Sequence, residues 1–125
     1  MLSLTNEKIL HILNRETIED FLDCLDLFSL ISKGFISYSN RQAVVPPVGE
    51  LSLKNPPGHA HIKYGYLIRD RYYVIKIASG FCKNVNFGIL NGQGVILLFD
   101  QNTRVPAAIL YDEAILTDIR TAVAG

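Results

Sequence analysis

Four β-rich runs in the second half of the chain constrain its fold most. "HIKYGYLI" and "YYVIKIASGF" flank the short "RDR", and "GVILLF" and "VPAAILY" flank "DQNTR". Runs of this length and composition, joined by short polar stretches, read as two β-hairpins. Upstream, "AVVPPVGELSL" combines β-branched residues with Pro-Pro, which places an extended segment at a sheet edge. "KNPPGHA" and "CKNVNFGILNGQG" read as loops from their Pro, Gly and Asn content.

The first third has a different period. In "LTNEKILHILN", Thr5 or Asn6 caps a helix whose stripe is Ile9, Leu10 and Leu13. In "ETIEDFLDCLDLFSLISKG", Ile18, Phe21, Leu22, Leu25, Phe28 and Ile31 recur at spacings of 3 and 4. Thr17 with Asp20 forms a capping pair there, and Gly34 ends the element. The chain closes on "ILTDIRTAVAG", read as a short helix with Thr117 as N-cap, Arg120 in its first turn and Gly125 as stop. The expected class is α+β, with N-terminal helices followed by a mainly antiparallel sheet, in one domain over residues 1–125.

Composition narrows the function classes. Twelve basic and twelve acidic residues give zero formal charge, which argues against a nucleic-acid-binding barrel despite the aromatic hairpin "YGYLIRDRYY". No apolar run is long enough to span a membrane. The N-terminus has an early acid and no basic stretch, unlike a signal peptide. Cys24 and Cys82 form no CxxC, so reduced thiols in a cytoplasmic protein are expected.

Several polar residues stand out against this background. Lys76 lies in "YVIKIAS" with apolar neighbours on both sides, either awaiting an anionic ligand or snorkelling to a sheet edge. With "RDR" as the turn, Lys63 falls opposite Lys76, and two facing cations repel unless an anion lies between them. Arg120 opposes the helix dipole, as a solvated side chain or as part of an anion site with the nearby amides. Arg41, before the extended segment, is equally open. His59 and His61 share a strand face but have no convincing third metal ligand. "GILNGQG" lacks the strand-to-helix context of a dinucleotide loop and reads as a wide turn. No nucleophile triad stands out, so no catalytic residue is assigned within the chain.

Taken together, "HIKYGYLIRDRYYVIKIASGF" and "FGILNGQGVILLFDQNTRVPAAILYDEAILTDIRTAVAG" resemble the ornithine cyclodeaminase/mu-crystallin family. The most specific parts are the lysine of "VIKIASGF", the "GVILLFD" strand and "LTDIRTA". The resemblance runs from about residue 35 to the end, and more loosely through the N-terminal helices.

It implies an α+β domain that binds substrate and dimerises through a shared barrel, paired in complete members with a Rossmann domain for NAD or NADP. Residues 114–125 then begin the linker helix to that second domain. Members interconvert amino acids and imines: cyclodeamination of ornithine, reduction of cyclic ketimines, or amino-acid dehydrogenation. The resemblance assigns Lys76 and Arg120 to the substrate carboxylate, with Arg120 also approaching the nicotinamide. Arg41 matches a further carboxylate-binding arginine, and Lys63 a basic residue of the "HIKYGY" subgroup. Where the family has Pro-Thr or Pro-Ser in its glycine-containing loop, this chain has Leu90-Asn91, which makes Asn91 a cofactor-binding candidate. Neither the dinucleotide fingerprint nor the family's catalytic aspartate has a counterpart within these residues. The expected function is therefore the substrate-binding and dimerisation part of such an enzyme, inactive by itself. The alternative is a non-enzymatic small-acid-binding or assembly module. The expected partners are a small amino or imino acid and a second copy of the chain, with neither nucleic acid nor membrane.

Overall fold

A computed structural model describes residues 9–124. Its centre is the predicted pair of hairpins. Strands β4 (Pro57–Leu67) and β5 (Tyr72–Gly80) pair around the turn at 68–71, and β6 (Gly92–Asp100) and β7 (Pro106–Tyr111) pair around 101–105. β5 and β6 join the two hairpins antiparallel. β2 (Ala43–Val44) and β3 (Gly49–Lys54) both pair with the long β4, and β1 (His11–Asn14) adds to the other edge, parallel to β7. The result is a seven-stranded mixed sheet in the order β1-β7-β6-β5-β4-β2, with β3 also on β4. Gly65 lets β2 approach, because a Cβ there would lie 2.5 Å from the Val44 carbonyl oxygen.

The class is α+β as expected, but the N-terminal third differs from its reading. His11–Asn14 is a strand rather than the end of a helix. Four apolar-rich residues satisfy either period, and the long-range pairing with β7 decides between them. The expected caps Thr5 and Asn6, and the stop at Gly125, lie outside the described residues. The long second helix is two helices, α1 (Arg15–Leu22) and α2 (Leu27–Ser39). Asn14, not Thr17, caps α1: its side chain accepts from the Thr17 amide at 2.9 Å. Asp26 restarts the chain as α2 by accepting from the Ser29 amide (3.1 Å) and hydroxyl (2.9 Å), and these bonds hold its carboxyl below the ordinary value. "KNPPGHA" is mostly strand, with only Asn55 and Pro56 between β3 and β4.

Gly34 lies inside α2 rather than ending it, and an added Cβ would meet nothing within 4 Å. Gly34→Ala is therefore expected to stabilise the chain by about 0.5–1 kcal/mol through lower unfolded-state entropy, read as a raised urea midpoint at unchanged slope.

The sheet has two unlike faces. Lys76, Ala78 and Ile96 point to one, where the C-terminal helix α3 (Ile115–Ala124) packs through Thr117. The other carries an apolar row across five strands, Tyr64–Ile75–Leu97–Ile109–Ile12, in register. Beside it Tyr73 and Phe99 stack with ring centroids 5.0 Å apart. No residue of that row is buried, and Ile12 is 70% exposed. Among the described residues only Ile18, Ile96 and Ala114 form a buried apolar core.

Candidate functional site

Lys76 sits mid-strand in the central β5, half-buried on the α3 side of the sheet. Its register partner on β4 is Lys63, so the two cations face each other across the hairpin as the spacing predicted. Lys76 Nζ donates to Thr117 Oγ1 at 3.1 Å, a hydroxyl rather than a carboxylate. Burial, then the charges of Lys63 and Arg120, push the Lys76 ammonium below its ordinary value, while Asp112 acts the other way. Lys63 and Arg120 are both exposed. The structure thus sets two cations near one half-buried ammonium that has no ion-pair partner among the described residues.

The end of the chain builds the other wall. α3 starts at Ile115, three residues earlier than a Thr117 cap implies, so Thr117 is inside the helix and Arg120 is in its second turn. The N-terminal side of α3 is satisfied instead by Asp112. Its Oδ2 accepts from the Leu116 amide at 3.1 Å and its carbonyl from the Ile115 amide at 3.0 Å. Asp112 is 1% exposed, the one buried charged side chain among the described residues. Glu113 and Ala114 follow it with φ of 50° and 67°, a left-handed pair that costs conformational energy and turns β7 sharply into α3. The turn fits because Gly94 has no side chain: a Cβ there would lie 3.1 Å from the Ile77 carbonyl oxygen and 3.5 Å from Asp112 Oδ1.

Sequence reasoning missed Asp112, though an acid shortly before the apolar run "AIL" is a start signal. Asp112→Ala should cost about 1–3 kcal/mol by leaving a part-buried amide unpaired and fraying the turn that carries Thr117. Urea unfolding measures this directly.

The other candidates are placed as follows. Arg41 follows α2 with φ of 59°, beside the hairpin turn, where the neighbouring Gln42 carbonyl accepts from the Ile68 amide. It is not among the charges that act on Lys76. Asn91 lies before β6, its carbonyl accepting from the Phe81 amide at 3.2 Å. It lines an open cleft of about 610 Å³ together with His59, His61, Ala78, Thr117 and Asp118. Thr117, the hydrogen-bond partner of Lys76, is the link between that cleft and the lysine. His59 and His61 stack, with Glu50 Oε1 at 3.5 and 3.9 Å from their nearer nitrogens. No group of three potential metal ligands is close enough to hold an ion among the described residues.

The glycine-containing loop runs through a 3₁₀ helix (Cys82–Phe87) into strand β6, not into a helix. Its amides therefore offer no helix N-terminus to a dinucleotide pyrophosphate. Among the described residues, no helix is long and apolar enough to cross a membrane.

No family model matches the chain. It is 30% identical over 95 residues to a protein of Rhizobium meliloti named as a putative dehydrogenase, covering 76% of the chain and 29% of that relative. It is 33% identical over 81 residues to an uncharacterized cyclodeaminase of Sinorhizobium fredii, covering 65% of the chain and 24% of that protein. The chain thus spans under a third of the length of these curated relatives. The fold superposes on Thermococcus litoralis Δ1-pyrroline-2-carboxylate reductase, solved with NADH and L-proline, with a TM-score of 0.83. Sequence identity is 23%, over 91% of this chain and 35% of that one.

Proposed function

This chain is a partial-length match to the ornithine cyclodeaminase/mu-crystallin family and belongs to it, and from that premise we propose that it supplies the substrate-binding and dimerisation part of an NAD(P)-dependent enzyme acting on an amino or imino acid. What supports this reading is the pairing of Lys63 opposite Lys76, with Arg120 near enough to act on the same ammonium and a hydroxyl as that ammonium's hydrogen-bond partner. A carboxylate placed there relieves the mutual repulsion and gains charge-assisted hydrogen bonds. Arg41 joins from the hairpin end if the ligand reaches that far.

Arg120 and Asn91 are the residues that would meet the nicotinamide end of the cofactor, Asn91 from the cleft that it lines with Thr117. The glycine-containing loop leads into a strand and so offers the pyrophosphate no helix N-terminus. When bound, the cofactor supplies the hydride chemistry. This chain's part is to fix the acid's carboxylate and so aim its α-carbon. By itself the chain is expected to bind without turning over.

Calorimetric titration with L-proline, L-ornithine or pyrroline-2-carboxylate tests the assignment. Binding that disappears in Lys76→Ala supports it, and binding unchanged by that substitution contradicts it.

A second reading, a non-enzymatic acid-binding or assembly module, draws on the missing pyrophosphate cradle. Sustained oxidation of NADH or NADPH by the chain with a cyclic imine would exclude it.

A further inference from the structure

Lys76 stands between two clefts on the α3 side of the sheet. Along β5 its neighbours on that face are Ala78 and Val74, two residues to either side. Ala78 lines the cleft that holds Asn91 and Thr117. Val74 lines a second one, of about 390 Å³, together with Lys76 itself. Lys63, the register partner of Lys76, lines this second cleft too, so both lysines of the pair border one open space.

Away from the lysines this cleft is largely apolar. Gly65 pairs with Val74 and Ala43 with Leu67, and the cleft runs over these positions to Tyr72. Val45 closes one side, its Cγ2 only 3.4 Å from where a Cβ on Gly65 would sit. Strand rise puts Val74 about 7 Å and Tyr72 about 13 Å along the sheet from Lys76. The far end is held firmly. Gln101 Nε2 donates to the Leu67 and Tyr72 carbonyls, both at 3.0 Å, and the Arg71 guanidinium lies 5.2 Å from the centre of the Tyr72 ring. Asp70 is the one acid among the described residues that line the cleft. It is exposed at the hairpin turn, and its Oδ1 accepts from the Arg71 amide at 2.7 Å. A carboxylate so exposed adds little to the binding of an ammonium.

We propose that this cleft is the side-chain subsite of the carboxylate site, and that it selects an amino or imino acid whose side chain is uncharged and apolar, such as isobutyl or benzyl. The proposal rests on the carboxylate reading above and adds the substrate's class to it. With the carboxylate at the Lys63–Lys76 end, the side chain lies over Gly65 and Val74 towards Tyr72, and apolar surface leaves water on both partners. The α-carbon then has the cleft lined by Thr117 and Asn91 on its other side. A diamino acid would instead lay a second ammonium on an apolar lining beside two lysine charges.

Calorimetric titration of the chain with L-leucine, L-phenylalanine, L-alanine and L-ornithine tests the subsite. Leucine and phenylalanine are expected to bind at least about tenfold more tightly than alanine, because their added carbons leave water. Ornithine is expected to bind no better than alanine. Val45→Asp should erase the preference for leucine and favour ornithine. Val45 lies beyond the end of β2 and is 55% exposed, so the fold tolerates the change. Val74→Thr, which adds only a hydroxyl to the lining, should weaken the same preference. Equal affinities for the four acids, or ornithine tightest, with binding still lost in Lys76→Ala, would overturn the subsite and leave the carboxylate site standing. A leucine preference untouched by both valine substitutions would overturn the subsite as well. Binding unchanged in Lys76→Ala, or absent for all four acids, would overturn both.

Discussion

Lys76→Met is expected to stabilise the chain while removing its affinity for small carboxylates. The side chain keeps its length and apolar stem, so the half-buried position on β5 stays filled. What is lost is an ammonium that is partly desolvated, repelled by Lys63 and Arg120, and paired only with a hydroxyl. Replacing such a charge with a hydrophobe of similar volume is commonly neutral or stabilising. With the position still partly open to water, the gain is on the order of 1 kcal/mol or less. Binding moves the other way. Losing one partner of a partly buried charge pair costs at least about 2 kcal/mol, or roughly thirtyfold in affinity.

The pH dependence has a definite sign. Lys76 has its folded-state value lowered from 10.5, so between the lowered value and 10.5 the unfolded chain binds more protons than the folded one. Its unfavourable contribution is full below the lowered value and is relieved as pH rises through that window. The stability advantage of Lys76→Met should therefore shrink with rising pH, as measured by urea midpoints from neutral pH upward. An advantage that grows with pH would mean that the ammonium is stabilised in the fold.

Leu97→Asp should abolish self-association. Leu97 is the centre of the row Tyr64–Ile75–Leu97–Ile109–Ile12 on the face away from α3. A sheet with one such face open and so small a core needs a cover, and a second copy offers a matching face. Two sheets apposed this way form a layer about 10 Å thick. A carboxylate at its centre would be desolvated in the dimer but wet in the monomer. The dimer constant should then weaken by about a thousandfold or more, at several kcal/mol per uncompensated ion, with little change in the monomer. Sedimentation equilibrium at tens of micromolar should give a dimer for the parent chain and a monomer for the variant. A clean monomer for the parent would remove the basis for a shared barrel.

The hairpins and the Lys63–Lys76 register were legible because alternating runs around short polar turns leave few alternatives. The helical third was less so. Ile9, Leu10 and Leu13 satisfy a helix period, but His11–Asn14 becomes a strand by pairing with β7, roughly a hundred residues away, which no local pattern encodes. Gly34 read as a stop because glycine commonly ends helices, whereas here the break comes earlier, where Asp26 caps a new start. At the site, Arg120 and Lys76 were visible as misfit charges. Their assignment to one carboxylate comes only from the family resemblance, since the path of the chain between them turns on the left-handed pair Glu113 and Ala114 and on the missing side chain at Gly94. The chemistry of Thr117 suits a cap. Asp112 fills that role, freeing the threonine hydroxyl for Lys76.

In the proposed site the Lys76 ammonium receives the carboxylate of a small amino or imino acid. Side-chain nitrogen NMR of the ¹⁵N-lysine-labelled chain, titrated in pH with and without saturating L-proline, tests it most directly. The expected result is a Lys76 resonance that titrates below 10.5 in the free chain and moves upward when the carboxylate binds. A Lys76 titration unchanged by bound ligand would contradict it.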